Sequence, residues 1–248
     1  TEIHPKHRAI ADDLLARIES GTWKPGDQLP SEEALVQETE TSLGTIRRAL
    51  KSLEEIGVVV RQQGVGTFVA GGGGGARQPR HFPLPQGEGK TLLPVFVTIR
   101  DISLTSVSGP WAGFLGNCEE GYVRILRIVN VAREFSMFSE FYLRADRFAE
   151  IAGIDPAELD GVSMRDLIAE QYNAPTLQVA QTIVCNILPP RITTVLELPM
   201  GSYGIIWTIS GLTYRAAPLS WHRVFMPPND RPLDLGLSGV GKPLSEIL

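Results

Sequence analysis

Apolar positions in the first quarter of the chain recur at helical spacing. Over residues 5–20 (PKHRAIADDLLARIES), Ile10, Leu14, Leu15 and Ile18 share one face, which predicts an amphipathic helix with Pro5 tolerated in its first turn. Gly21 ends that helix, and Trp23, Pro25, Gly26 and Asp27 mark a turn. Ser31 is the expected N-cap of a second helix, Glu32 to about Glu38, whose first-turn acids suit the positive end of the helix dipole. A third helix is expected over 43–56, capped by the Ser42 hydroxyl, with Ile46, Leu50, Leu53 and Ile56 as its buried stripe. Gly57 stops it where a left-handed residue costs glycine least. Two short β-branched runs follow, Val58–Arg61 and Thr67–Val69, with Gly64, Val65 and Gly66 as the tip of a hairpin.

The pattern breaks at residue 71. Five consecutive glycines and a Pro-rich stretch read as a linker over 71–93, and no lysine or strand-to-helix context supports a phosphate-cradling loop. Beyond it, strand and helix signals mix. Val95–Asp101 alternates like a strand, and 122–132 pairs with 135–143 as a hairpin across Arg133–Glu134. Short helices are expected over 147–152, after Asp155–Pro156, over 163–172 and over 192–196. Strands are expected over 177–188, 203–214 and 219–226. The economical summary is an α+β chain in three parts: a helical head over 1–70, the linker, and an antiparallel sheet with helices on one side over 94–248.

Composition changes this picture little. The chain has 248 residues, 43% hydrophobic and 21% charged, which suits two globular domains. No apolar run is long enough to span a membrane and the N-terminus lacks a signal-peptide core, so a cytoplasmic protein without membrane partners is expected. Cys118 and Cys185 have no CxxC or Cys/His partners and are expected to be reduced core thiols, with no metal or cofactor. The head holds eight Lys/Arg against eleven Asp/Glu, so any affinity for nucleic acid must come from clustering on one face.

That clustering exists in the pattern. Arg47, Arg48 and Lys51 lie off the apolar stripe of the third helix, where they can meet a phosphate backbone or a base edge. Helix, turn, second helix and hairpin together are the plan of a winged helix-turn-helix. The stretch Pro25–Gly26–Asp27, Leu29–Pro30–Ser31, Thr45, Arg47, Ala49–Leu50, Leu53, Gly57 and Gly64–Val69 resembles the DNA-binding domain of GntR-family bacterial transcription regulators over roughly residues 4–70. The resemblance implies DNA contacts from Ser31, Ser42, Thr45, Arg47, Arg48, Lys51, Arg61, Gln63, Gly64, Gly66 and Thr67. Where that family usually carries two further arginines this chain has Glu33 and Leu43, which implies an altered operator.

The second domain is similar to the UTRA effector domain of the HutC subfamily, through Arg127, Glu140, Ser163, Leu198–Gly201 and Pro218–Leu219. This implies a chorismate-lyase-like domain that binds a small metabolite, such as an anionic metabolite or sugar phosphate, and homodimerises on double-stranded operator DNA. Candidate effector residues are Arg127, Glu140, Tyr142, Ser163, Arg165, Trp221 and Arg223, with Val129 where a second arginine is frequent. Coupling of effector to DNA is expected to pass through the 71–93 linker. Two other readings stand beside this one. The first is a dimerisation or adaptor protein with a weakened head. The second is a lyase-like enzyme, disfavoured because no nucleophile elbow, metal cluster or Ser/His/Asp set is present and no catalytic residue is assigned. His222, the one histidine of the sequence within 94–248, reads as a sheet-surface or core residue rather than a catalyst.

Overall fold

The computed structural model describes residues 6–70 and 93–233. The head consists of α1 (Lys6–Glu19), α2 (Glu32–Thr39) and α3 (Leu43–Glu55), followed by the antiparallel pair β1 (Val59–Gln62) and β2 (Gly66–Val69). Leu14, Ile18, Leu35, Ile46, Leu50 and Leu53 are fully buried at its centre, each contributing about 1.5–3 kcal/mol. Gln28 bridges to Phe68 and its side-chain amide donates to the Val65 carbonyl at 3.0 Å, so the segment before α2 pins the wing. Ser31 caps α2 by accepting from the Ala34 N–H at 3.1 Å.

Two expectations for α3 are corrected. Ser42 stands at the N-cap, but its hydroxyl bonds to the Thr45 hydroxyl at 2.8 Å and makes no cap hydrogen bond. Ile56 is 42% exposed, because the helix ends at Glu55 and the chain turns away through Gly57 at φ +77°.

The second domain is a six-stranded antiparallel sheet in the order β3-β4-β5-β8-β7-β6. Its strands are β3 (Val95–Thr105), β4 (Tyr122–Val131), β5 (Phe135–Arg144), β6 (Gln178–Ile187), β7 (Tyr203–Leu212) and β8 (Pro218–Met226). The β4–β5 turn takes residues 132–134 rather than Arg133–Glu134 alone, with Ala132 and Arg133 in the left-handed region, so Val131 pairs with Phe135 and the register shifts by one from the expected one. Four short helices complete the domain: α4 (Pro110–Leu115), α5 (Ala145–Phe148), α6 (Met164–Tyr172) and α7 (Pro190–Val195), with 3-10 turns at 149–153 and 156–159.

Helices cover both faces of the sheet, which overturns the one-sided expectation. Phe148, Ile151, Leu159, Met164, Leu167 and Ile168 cover one face against Val123, Ile125, Phe141 and Leu143. On the other face, α4 packs Ala112 and Leu115 beside Tyr142 and Trp221, while Ile192 of α7 meets Phe138 and Phe225. A sheet apolar on both sides needs both covers, and the Pro110–Trp111 turn that starts α4 gave no periodic signal in so short a segment. Both cysteines are free thiols, but their placement in the core is corrected: Cys118 is half-buried and Cys185 is exposed on β6. Most of the expected linker, 71–92, lies outside the described residues.

Candidate DNA-binding face and effector site

On the head, Ser31, Ser42, Arg47, Arg48, Lys51, Arg61, Gln63 and Gly64 are exposed, and Thr45 and Gly66 are half-buried. Thr67 departs from the expected set: it is buried, and its carbonyl accepts from the Leu29 N–H at 2.8 Å. Gly64 (φ +74°) supplies the left-handed residue that lets the wing tip turn.

One residue that the sequence reading left out organises this face. Arg47 Nε donates to Glu32 Oε2 at 2.7 Å, and Arg61 Nη2 donates to Glu32 Oε1. A single carboxylate at the start of α2 thus gathers the recognition-helix arginine and the wing arginine. Glu32 raises the Arg47 pKa through that hydrogen bond and its charge. A carboxylate held between two guanidinium groups is a charge-assisted arrangement of the kind arginines also make with phosphate. The sequence displayed Glu32 only as an acid in the first turn of α2, which has a sufficient reason in the helix dipole. Lys51 pairs instead with Glu55 at 3.7 Å and Arg48 Nε donates to the Gly44 carbonyl at 3.1 Å, so both stay on their own helix.

In the second domain the candidate residues fall on opposite faces of the sheet. Arg127 of β4 stands opposite Ser139 of β5, on the face covered by α6. It is 3% exposed. Its Nε and Nη2 donate to Ser139 Oγ at 3.1 and 2.9 Å, and Nη2 lies 2.9 Å from His222 Nε2. Ser139 Oγ lies 2.7 Å from the same nitrogen. Because a guanidinium has no lone pair to offer, His222 Nε2 is the acceptor and the ring proton sits on Nδ1. Phe141 lies against the guanidinium, 5.3 Å from its ring centroid, and belongs to the cluster that α6 covers. Among the described residues no carboxylate pairs with Arg127, and burial pushes its pKa down to about 10. A buried guanidinium held only by neutral partners retains an unmet demand for an anion.

The helix α6 covers the same face of the sheet. Ser163 caps the helix, accepting from the Asp166 N–H at 3.3 Å, and Arg165 Nη2 donates to the Thr176 carbonyl at 2.6 Å. Asp160 accepts from the Ile99 N–H at 2.7 Å, and Ile99 lies opposite Arg127 in the β3–β4 ladder. The start of α6 is therefore tied to the sheet at the level of Arg127.

Glu140, Tyr142, Trp221 and Arg223 point away from Arg127, which corrects the expectation of one pocket. They lie on the opposite face, where Glu140 stands across from Arg223 and Tyr142 across from Trp221. Arg191 of α7 donates to the buried Glu140. Trp111 stacks on Tyr142 at 3.8 Å and 9°, Arg223 lies 4.5 Å over Trp221, and burial pushes the Tyr142 hydroxyl up to about 12. The split follows from the period-two alternation of strands: with 127 opposite 139, neither 140 nor 142 can reach the side of 127 and 139.

Residues 6–69 match the family model of bacterial regulatory proteins, gntR family. Over 66 residues the chain is 46% identical to the histidine utilization repressor of Klebsiella aerogenes, covering 27% of each chain. Over 65 residues it is 45% identical to the mannosyl-D-glycerate transport/metabolism system repressor MngR of Escherichia coli K12, covering 26% of this chain and 27% of that one. The match spans about a quarter of the length of these curated relatives. The ligand-binding domain of a protein assigned to the GntR-family transcriptional regulators, from Bordetella bronchiseptica, aligns with 65% of this chain and all of its own length, at a TM-score of 0.55 and 14% identity, a likeness of fold. Residues 6–69 thus carry a winged helix-turn-helix head of the kind the gntR family model describes.

Proposed function

We propose that this chain is a metabolite-responsive transcription regulator, a repressor, that binds a palindromic operator through Arg47, Arg61 and the wing. In this reading it catalyses no reaction, and a small anionic effector held by Arg127, Ser139, His222 and the Ser163 end of α6 modulates it. The observation that carries the proposal is the contrast within one chain: exposed arginines gathered around Glu32 on the head, and a buried arginine with no carboxylate partner among the described residues of the sheet domain. The named relatives that match the head are repressors, which supports the sign of regulation. The same reading puts the protein with the chromosome in the cytoplasm, and no described helix is long and apolar enough to cross a membrane.

A palindromic operator requires two copies. The edge strand β6 exposes Val179, Ile183, Val184 and Ile187 along ten residues, and among the described residues only β7 pairs with it. An apolar, unpaired edge of that length suits a self-complementary contact with a second copy. Selection of duplexes from a random pool, with size measurement in solution, tests the proposal. Enrichment of an inverted repeat by a dimer is expected, and a monomer enriching no motif at low salt contradicts it.

A further inference from the structure

The second domain grips the head directly, through residues other than those of the candidate DNA-binding face. Asn173, which ends α6, donates through Nδ2 to the carbonyls of Ile18 and Glu19 at 3.0 and 3.2 Å, the last turn of α1. Arg215, in the turn between β7 and β8, donates from Nε to both carboxylate oxygens of Glu19 at 2.8 and 3.1 Å. Tyr214 is buried among the core residues of the head, and Leu177 packs against the same cluster. The Leu177 carbonyl lies 3.6 Å from the position a Cβ would occupy on Gly57, at the far end of α3 from Ser42. Arg47 and Arg61 stay exposed, so the grip leaves the DNA-binding face open.

The junction is built to let go. Arg215 and Ala216 hold left-handed backbone (φ 54° and 53°), a conformation that strains such residues, while Asn173 (φ 47°) takes the left-handed cap position that asparagine tolerates. Asn173 Oδ1, Thr213 Oγ1 and Tyr214 OH are buried without hydrogen-bond partners. Buried unsatisfied groups and strained backbone gathered at one contact favour its opening. Both elements that make the contact also lead to the Arg127 site. The nine residues of α6 run about 13 Å from the Ser163 cap to Asn173. The turn carrying Tyr214 and Arg215 feeds β8, which holds His222.

We propose that Asn173, Tyr214 and Arg215 form a releasable latch on the α1 end of the head, and that an anion at Arg127 opens it through α6 and β8. The route rests on the effector reading of Arg127, while the latch itself does not. It needs no transmission through residues 71–92. A closed latch fixes the direction in which the recognition helix points; an open one frees the head and weakens binding to two half-sites held at set spacing.

Hydrogen exchange on the full-length protein tests both parts. In Arg215→Glu, amides of 16–22 and 212–217 are expected to exchange about fivefold faster, and the double variant Glu19→Arg/Arg215→Glu to restore protection. Asn173→Ala is a second route to the same opening. Unchanged exchange in both segments for Arg215→Glu and Asn173→Ala overturns the latch. Inorganic phosphate at 50 mM is expected to speed exchange in the same segments of the wild type and not in Arg127→Met. If phosphate raises the melting temperature through Arg127 yet leaves those segments unchanged, the coupling is overturned and the effector reading stands. If phosphate neither stabilises the protein nor changes exchange, anion-driven opening falls with the effector reading, and the charge-swap pair alone decides the latch.

Discussion

The arginines of the two domains live under opposite conditions. Arg47 and Arg61 are exposed and share the Glu32 carboxylate, while Arg127 is buried among Ser139, His222 and Phe141 with no described carboxylate near it. Water screens the first pair, so exchanging Glu32 for a phosphate costs little and binding can be rapid and salt-sensitive. Arg127 has already lost its hydration in the folded state, at a cost on the order of several kcal/mol, and only an anion recovers it. One set is suited to reversible contact with a long polyanion, the other to selective capture of one small anion.

Removing the buried charge breaks the contrast most directly. Arg127→Met keeps much of the volume, and Ser139 and His222 can still bond each other at 2.7 Å. The ligand-free protein is expected to gain about 1–4 kcal/mol of stability, as for other buried charges replaced by apolar groups. The variant should lose the stabilisation an anionic ligand gives, about 2.7 kcal/mol at a hundred times its Kd. Thermal unfolding with and without phosphate or sugar phosphates measures both, and equal ligand shifts in variant and wild type would refute the assignment.

On the exposed side the largest effect is expected at Arg47. Arg47→Ala should weaken operator binding by about tenfold to a hundredfold if that residue reads a base, and relax the motif enriched from random duplexes. Uniform weakening across all sequences would reassign it to the phosphate backbone. Ser31→Ala removes the cap of α2 and should cost about 1 kcal/mol in denaturant unfolding of the head. The smallest effect is expected at Glu32. Glu32→Gln should raise affinity for non-operator DNA by about twofold to threefold, the scale of an exposed ion pair, and lower the ratio of operator to non-operator binding. An unchanged ratio would mean that Glu32 does not orient Arg47 and Arg61.

The head was legible because its signals are local. The apolar stripe of α3, the Ser31 cap and Gly57 each act within one or two turns, and the structure follows them. Ile56 and Ser42 failed at the end and start of the same helix, where one residue decides whether a side chain faces the core or solvent. The effector residues were legible singly but not as a set. A two-residue turn at Arg133–Glu134 sets 127 opposite 140, on one face; the turn takes residues 132–134 instead, and that one-residue shift sets 127 opposite 139 and sends Glu140 and Tyr142 to the other face. The Glu32 clamp and the Asn173–Arg215 grip join residues 15 to 196 positions apart, and no local pattern encodes such contacts.

The central claim is that the buried arginine governs the exposed ones. Its most direct test is operator binding by fluorescence anisotropy in chloride and in phosphate buffers of matched ionic strength, for wild type and Arg127→Met. The operator is the one selected from the random pool. Phosphate should weaken wild-type binding saturably beyond the chloride control and leave the variant unchanged. Equal losses in both proteins would contradict the account, because the anion would then be acting on the DNA-binding face itself.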